Sequence, residues 1–169
     1  FVADVVGDDG ALYEVQTGGF GPIRRKLEQL VKSHRVVLVH PIAARRTLIK
    51  LPATSNAEPV RRRSPKRGHL AHVIQPLVSI PRLLTHPGFE LEVVMTEEDE
   101  IRRYDPKRVR RRGGWRVVGR RLNAVISRHR FRQLDDLFSL LLTPLPYSFT
   151  TRDLAEALRQ PRSLAQKMA

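Results

Sequence analysis

Two carboxylates and an amide stand close together at the start of the chain. Residues 1–20, "FVADVVGDDGALYEVQTGGF", form two short apolar runs around a turn, and Asp4 and Glu14 interrupt them where apolar residues would continue. Residues 1–6 and 11–17 read as strands, with "GDDG" as the hairpin turn. Side chains on a strand alternate faces, so Glu14 and Gln16 point the same way, and a short turn brings Asp4 beside Glu14. Neighbouring carboxylates repel each other unless a cation lies between them. Mg2+ or Mn2+ suits that place, as a hard ion held by one or two carboxylates and several waters. Such an ion polarises a phosphate and lowers the pKa of an attacking water. Gln16 would then orient the water or touch the phosphate without acting as a base. Taken singly, Asp4 also reads as an acid at a strand end, and Glu14 as an edge-strand acid paired with an arginine.

The elements that must position these groups follow directly. In "GGFGPIRRKLEQLVKSH", Phe20, Ile23, Leu27, Leu30 and Val31 recur at helical spacing, which predicts an amphipathic helix over 20–33. "RVVLVHPI" is a continuous apolar run of the kind found in strands covered on both faces, and "RTLIKL" reads as one more strand. Residues 1–52 are therefore expected to form an α/β core.

An aspartate on one strand, a tight turn, "EVQ" on the next strand, then a helix and a buried strand resemble the PD-(D/E)xK nuclease superfamily. That pattern is Asp, a variable gap, then Glu-x-Lys; Asp4 takes the aspartate's place, Glu14 the glutamate's and Gln16 the lysine's. The sequence departs from it in lacking Pro-Asp and in placing Gln where the lysine stands, a substitution some members carry. The resemblance covers about residues 1–50. It implies a restriction-endonuclease-like core and Mg2+-dependent hydrolysis of DNA phosphodiesters, with Asp4 and Glu14 as metal ligands. An upstream helix that often adds an acid would precede residue 1, so the core is expected to lack its N-terminal part. The missing lysine charge must come from elsewhere. Arg24 and Lys26 flank the apolar helix face from opposite sides, and either could lean toward the site. Basic residues also commonly border a buried face merely to cover it. The rest of the chain, with "RRRSPKRG", "LEVVMTEEDEIR" and "FTTRDLAEAL", resembles an uncharacterised bacterial family that joins such a core to a C-terminal winged helix. That likeness implies architecture and no activity.

The composition points to a polyanionic partner. The chain has 169 residues, a formal net charge of +14, and 25 Arg against 6 Lys. Such a surface collects nucleic acid by counterion release, although GC-rich coding also produces an arginine bias. Residues 53–68 read as a basic linker carrying Arg61, Arg62, Arg63, Lys66 and Arg67. Residues 69–142 read as a mixed α+β segment. It begins with proline-broken short helices, continues with a strand followed by "EEDE" as an acidic turn or edge, and reaches a basic hairpin or loop with its tip at Gly113–Gly114. That hairpin offers Arg110, Arg111, Arg112, Arg116 and Trp115 to a phosphate backbone, with an aromatic to stack on a base or to pack inward. A helix is predicted over 131–142. Residues 143–169 begin a helix-turn-helix or winged helix, with Thr150 or Thr151 capping the first helix, Leu154, Ala155 and Leu158 inward, and Ser163 capping the second. His69 and His72 are spaced like a metal pair but lack a third ligand.

There is no cysteine and no apolar run near the length of a membrane span, which suits a cytoplasmic protein. The chain opens inside a strand and closes inside a helix, as a fragment would. A magnesium-dependent DNA nuclease is the leading expectation, with DNA as the nucleic-acid partner and a second copy of the chain as a homodimer partner. The alternative is a non-catalytic DNA-binding protein on an inactive nuclease-like scaffold plus winged helix.

Overall fold

The computed structural model describes residues 2–52, 57–109 and 112–169, the Arg112 side chain excepted. β1 (Val5–Val6) and β2 (Leu12–Val15) form an antiparallel hairpin, with Val5 opposite Tyr13 and Val6 opposite Leu12. Gly10 closes the turn at φ 75°, a left-handed conformation that glycine adopts without steric penalty. A 3-10 turn, Gly21–Ile23, with Pro22 near its start leads into α1 (Arg24–Leu30), whose Leu27 is fully buried. β3 (Val36–Lys50) returns parallel to β2, setting Leu38 opposite Glu14 and Val39 opposite Val15. β4 (Val60–Arg63) pairs antiparallel with the far half of β3, Arg61 facing Ile49. α2 (Ile74–Leu77) lies between two 3-10 turns, Leu70–Val73 and Leu83–Thr85. Two long strands follow, β5 (Phe89–Tyr104) and β6 (Trp115–Phe131), and the chain ends in α3 (Thr151–Leu158) and α4 (Arg162–Met168). The fold is mixed α/β. Its mixed sheet has the order β1-β2-β3-β5-β6, with β4 also on β3.

Several local expectations change. "RVVLVHPI" and "RTLIKL" are one strand of 15 residues, because the polar stretch between them pairs its arginines with acids on β5. "EEDE" is no solvated turn: it lies inside β5, where Asp99 and Glu100 are buried. The linker 53–68 contains β4. The helix predicted over 131–142 is a 3-10 turn, Leu134–Leu140, and Ser163 lies within α4, whose capping position is Pro161 with no side-chain cap. Thr150 does cap α3, accepting from the Arg152 and Asp153 amides, and Leu154, Ala155 and Leu158 face inward as expected.

The chain forms two compact units. Unit 1 is Phe1–Ile42, His69–Val94 and Arg128–Ala169; unit 2 is Ala43–Gly68 and Met95–Ser127. Unit 1 has an apolar core in which Phe20, Phe89, Phe131, Leu27 and Leu158 are almost wholly buried. Among the described residues, unit 2 contributes only Leu48, Ile49 and Met95 to the buried apolar set. Its strands are tied by ion pairs instead: Arg46 to Glu98 at 2.6 Å, Arg46 to Glu100 at 3.3 Å and Arg121 to Asp99 at 2.6 Å. The charge divides just as unevenly. Eighteen of the 31 cations and six of the 17 acids belong to unit 2, a formal +12 against +2 for unit 1.

Candidate functional site

The first hairpin carries the candidate acids. Continuing the β1–β2 register by one residue sets Asp4 opposite Glu14. The two carboxylates have different surroundings. Asp4 is exposed, and its Oδ2 accepts from the Val15 amide at 2.9 Å. Glu14 has its side chain 9% exposed, and its Oε2 meets Lys26 Nζ of α1 at 2.6 Å. The helix therefore delivers a cation to the strand acid at the distance of a charge-assisted hydrogen bond. Of the two basic residues flanking the helix face, Lys26 is the one on the site; Arg24 turns to Glu28 one helical turn on, at 2.7 Å. Gln16 shares the strand with Glu14, two residues along. Its side-chain Nε2 donates to the Gly19 carbonyl at 2.9 Å, which fixes the amide and leaves Oε1 as an acceptor.

His40 of β3 joins this neighbourhood, although no motif in the sequence reading included it. In the parallel ladder the Gln16 amide donates to Val39, and the next bond would run from the amide of position 41 to the Gln16 carbonyl. Position 41 is proline and has no such amide. His40 supplies the missing donor through its ring, Nδ1 to Gln16 O at 2.6 Å. A carbonyl only accepts, so Nδ1 holds the proton and the neutral ring keeps its lone pair on Nε2. Burial pushes the His40 pKa down, partly opposed by the Gln16 carbonyl. The Phe20 ring stands edge-on to it, 5.0 Å between centroids. A histidine directly before a proline in an apolar strand is the signal that could have found it.

The resemblance implies Mg2+ or Mn2+, and the donor set is compatible with a hard ion. Asp4 and Glu14 each commit one oxygen and, among the described residues, leave the other without a hydrogen bond. No group of three or more His, Cys, Asp or Glu placed to share a metal occurs among the described residues. His69 and His72 are occupied as a helix cap: His69 Nδ1 accepts from Ala71 N, and His72 Nδ1 accepts from His69 N.

The cationic candidates lie mainly in unit 2. Arg61 approaches Asp99 at 3.4 Å. Arg62, Arg63, Lys66 and Arg67 are exposed. Arg110 and Arg111 lie outside the described residues, as does the Arg112 side chain. Arg116 Nε is buried without a hydrogen bond, 3.8 Å from Asp105 Oδ2. Trp115 is half-buried, with Tyr104 tilted against it at 5.5 Å and Lys50 Nζ 4.3 Å from its ring centroid.

No helix among the described residues is long and apolar enough to cross a membrane. No solved structure matches the chain. An "Uncharacterized protein" of Treponema pallidum (strain Nichols) is 34% identical over 155 residues, covering 92% of this chain. The chain spans 61% of that relative's length. Residues 1–132, which hold the hairpin, Lys26, His40 and the six strands found among the described residues, match a family model, and the chain belongs to the family described as Domain of unknown function (DUF8091).

Proposed function

We propose that the hairpin, α1 and β3 of unit 1 form part of a restriction-endonuclease-like core that hydrolyses DNA phosphodiesters with a divalent ion. The observation that carries this reading is the 2.6 Å contact between Lys26 Nζ and Glu14 Oε2 on the strand that faces Asp4. It offers a helix lysine in place of the one absent at position 16. Asp4 and Glu14 would hold the ion, which when bound polarises the phosphate and acidifies a water. Lys26 places a positive charge where the attacked phosphate gains negative charge. Gln16 presents Oε1 to orient a water, its amide nitrogen being held by Gly19. The α3–turn–α4 pair, exposing Arg162, Ser163, Gln166 and Lys167 along α4, would begin a winged helix that adds groove contacts.

A cleavage assay on duplex DNA with Mg2+ or Mn2+ tests the reading. Glu14→Ala and Lys26→Ala are each expected to slow cutting about a hundredfold or more. A parent inactive with both ions, or a Glu14→Ala protein as fast as the parent, would end it.

The Glu14–Lys26 pair also favours a second reading. With side chains 9% and 18% exposed, the two charges are enclosed and largely neutralise each other, as in a strut that fastens α1 to β2. On that reading the chain binds DNA on an inactive scaffold, binding needs no metal, and Glu14→Ala loses stability rather than activity.

A further inference from the structure

Unit 2 contains a group of side chains arranged around a single buried carboxylate. Asp99 of β5 has its side chain 1% exposed, and three donors converge on it. Arg121 Nη2 at 2.6 Å and Arg61 Nη2 at 3.4 Å meet Oδ2, and Asn123 Nδ2 at 2.9 Å meets Oδ1. The arginines come from β6 and β4, and their own side chains are 62% and 58% exposed. A guanidinium offers five N–H donors, and among the described residues each of these has no partner other than Asp99. Two cations on one carboxylate leave a local excess of positive charge. A similar excess recurs at Glu100, where one buried carboxylate takes Arg102, Arg120 and Arg46, the last shared with Glu98.

We propose that Arg61 and Arg121, seated on Asp99, form a phosphate-binding fork that grips the backbone of duplex DNA without reading its sequence. The kind of polymer rests on the preceding reading; the cleavage chemistry does not enter. A planar fork matches a phosphodiester through paired hydrogen bonds, which a charge on a flexible lysine does not reproduce. The buried carboxylate holds both forks in place before any ligand arrives, and this lowers the entropy lost on binding. Fifteen of the 18 cations of unit 2 are arginine, which favours a partner recognised by fork geometry over a membrane surface attracted by charge alone.

The test is fluorescence anisotropy of mixed-sequence duplex DNA with the full chain, in EDTA, over a series of salt concentrations. Parent affinity is expected to fall steeply with salt. The double variant Arg61→Gln/Arg121→Gln should lose about 2 from the magnitude of the log–log slope, roughly 0.9 per phosphate contact. It should weaken binding equally on two unrelated duplexes. Arg61→Lys/Arg121→Lys should lose affinity yet keep most of the slope, and the exposed unit 1 variant Arg82→Gln should change neither. Near-ultraviolet circular dichroism of Trp115 checks that each variant is folded. A double glutamine variant with the parent's affinity and slope overturns the proposal. So does a lysine variant that binds as the parent does, or stronger displacement of the DNA by single-stranded RNA or phosphatidylserine vesicles. EDTA separates the two readings: a parent that binds in this way but never cuts in Mg2+ retires the cleavage proposal and leaves the fork intact. A parent that cuts while the double glutamine variant keeps its salt slope does the reverse.

Discussion

Unit 1 and unit 2 both contain β-strands but are held by different forces. Unit 1 buries phenylalanines and leucines between its strands and helices, so its cohesion follows the apolar area removed from water. Unit 2 has little apolar area to remove, and much of β6 within it is exposed, Leu122 being 61% exposed. A strand solvated on both faces has a weakly specified register, because no buried face penalises a slip by one residue. Cross-strand charges specify it instead: Glu98 and Glu100 meet Arg46, and Asp99 meets Arg121, so a slip would separate every pair. Asp99 and Glu100 are buried, while Arg61, Arg120 and Arg121 beside them remain at least half exposed. One arrangement therefore orders the sheet and displays its positive charge. Unit 1 keeps its acids and cations nearly balanced, and the one candidate site it holds is a single enclosed pair.

The sharpest way to break this contrast is to damage each unit in its own currency. Phe20 is fully buried in unit 1, and Phe20→Ala is expected to lose about 3–5 kcal/mol. Urea unfolding measures it, and a loss below about 1 kcal/mol would mean that unit 1 does not rest on its apolar core. Asp99→Ala in unit 2 should cost less, about 1–3 kcal/mol, because the donors it abandons are mostly exposed and water can take them. Amide exchange should show that loss along β5 and β6 of unit 2 and leave α3 and α4 unchanged. Equal loosening in both units would erase the distinction.

The smallest effect is the response to acid, and it should reach the units in order. The folded pKa of His40 lies below its ordinary 6.5 through burial, so the unfolded chain takes up the proton first. Its contribution to unit 1 is complete above pH 6.5 and declines as pH falls from there toward the folded value. Asp99 is held below the ordinary 3.8 chiefly by its hydrogen bond from Asn123 and then by Arg121. Its contribution to unit 2 is complete above that value and is lost only as pH falls below it. Titration of the His40 ring protons by NMR checks the first step; a midpoint at or above 6.5 would reverse it.

The parts of the fold legible in the sequence are those where apolar spacing repeats locally. The helix around Leu27 and the capped helix at Thr150 follow from such spacing, and the opening hairpin and the short helices after His69 from turn residues and prolines that are equally local. The strand interiors of unit 2 do not. Arg45 and Arg46 look like a break between two strands until Glu97 and Glu98, some fifty residues later, are set beside them. Hydrophobic periodicity has no term for a partner that distant, and so the acids of β5 read as a turn. At the candidate site, Lys26 was visible as a basic residue flanking the helix face, but only the fold selects it over Arg24. His40 was missed because a buried histidine in an apolar run looks like one more core residue, and its partner is a main-chain carbonyl that no side-chain motif encodes.

That histidine and the proline after it make a linked pair. Removing His40 alone strands the Gln16 carbonyl; replacing Pro41 alone restores an amide and makes the imidazole redundant there. The two substitutions should therefore be non-additive, the second relieving the first. Any drift away from His-Pro at this point of β3 has an easier route in one order than in the other: proline first, histidine afterwards.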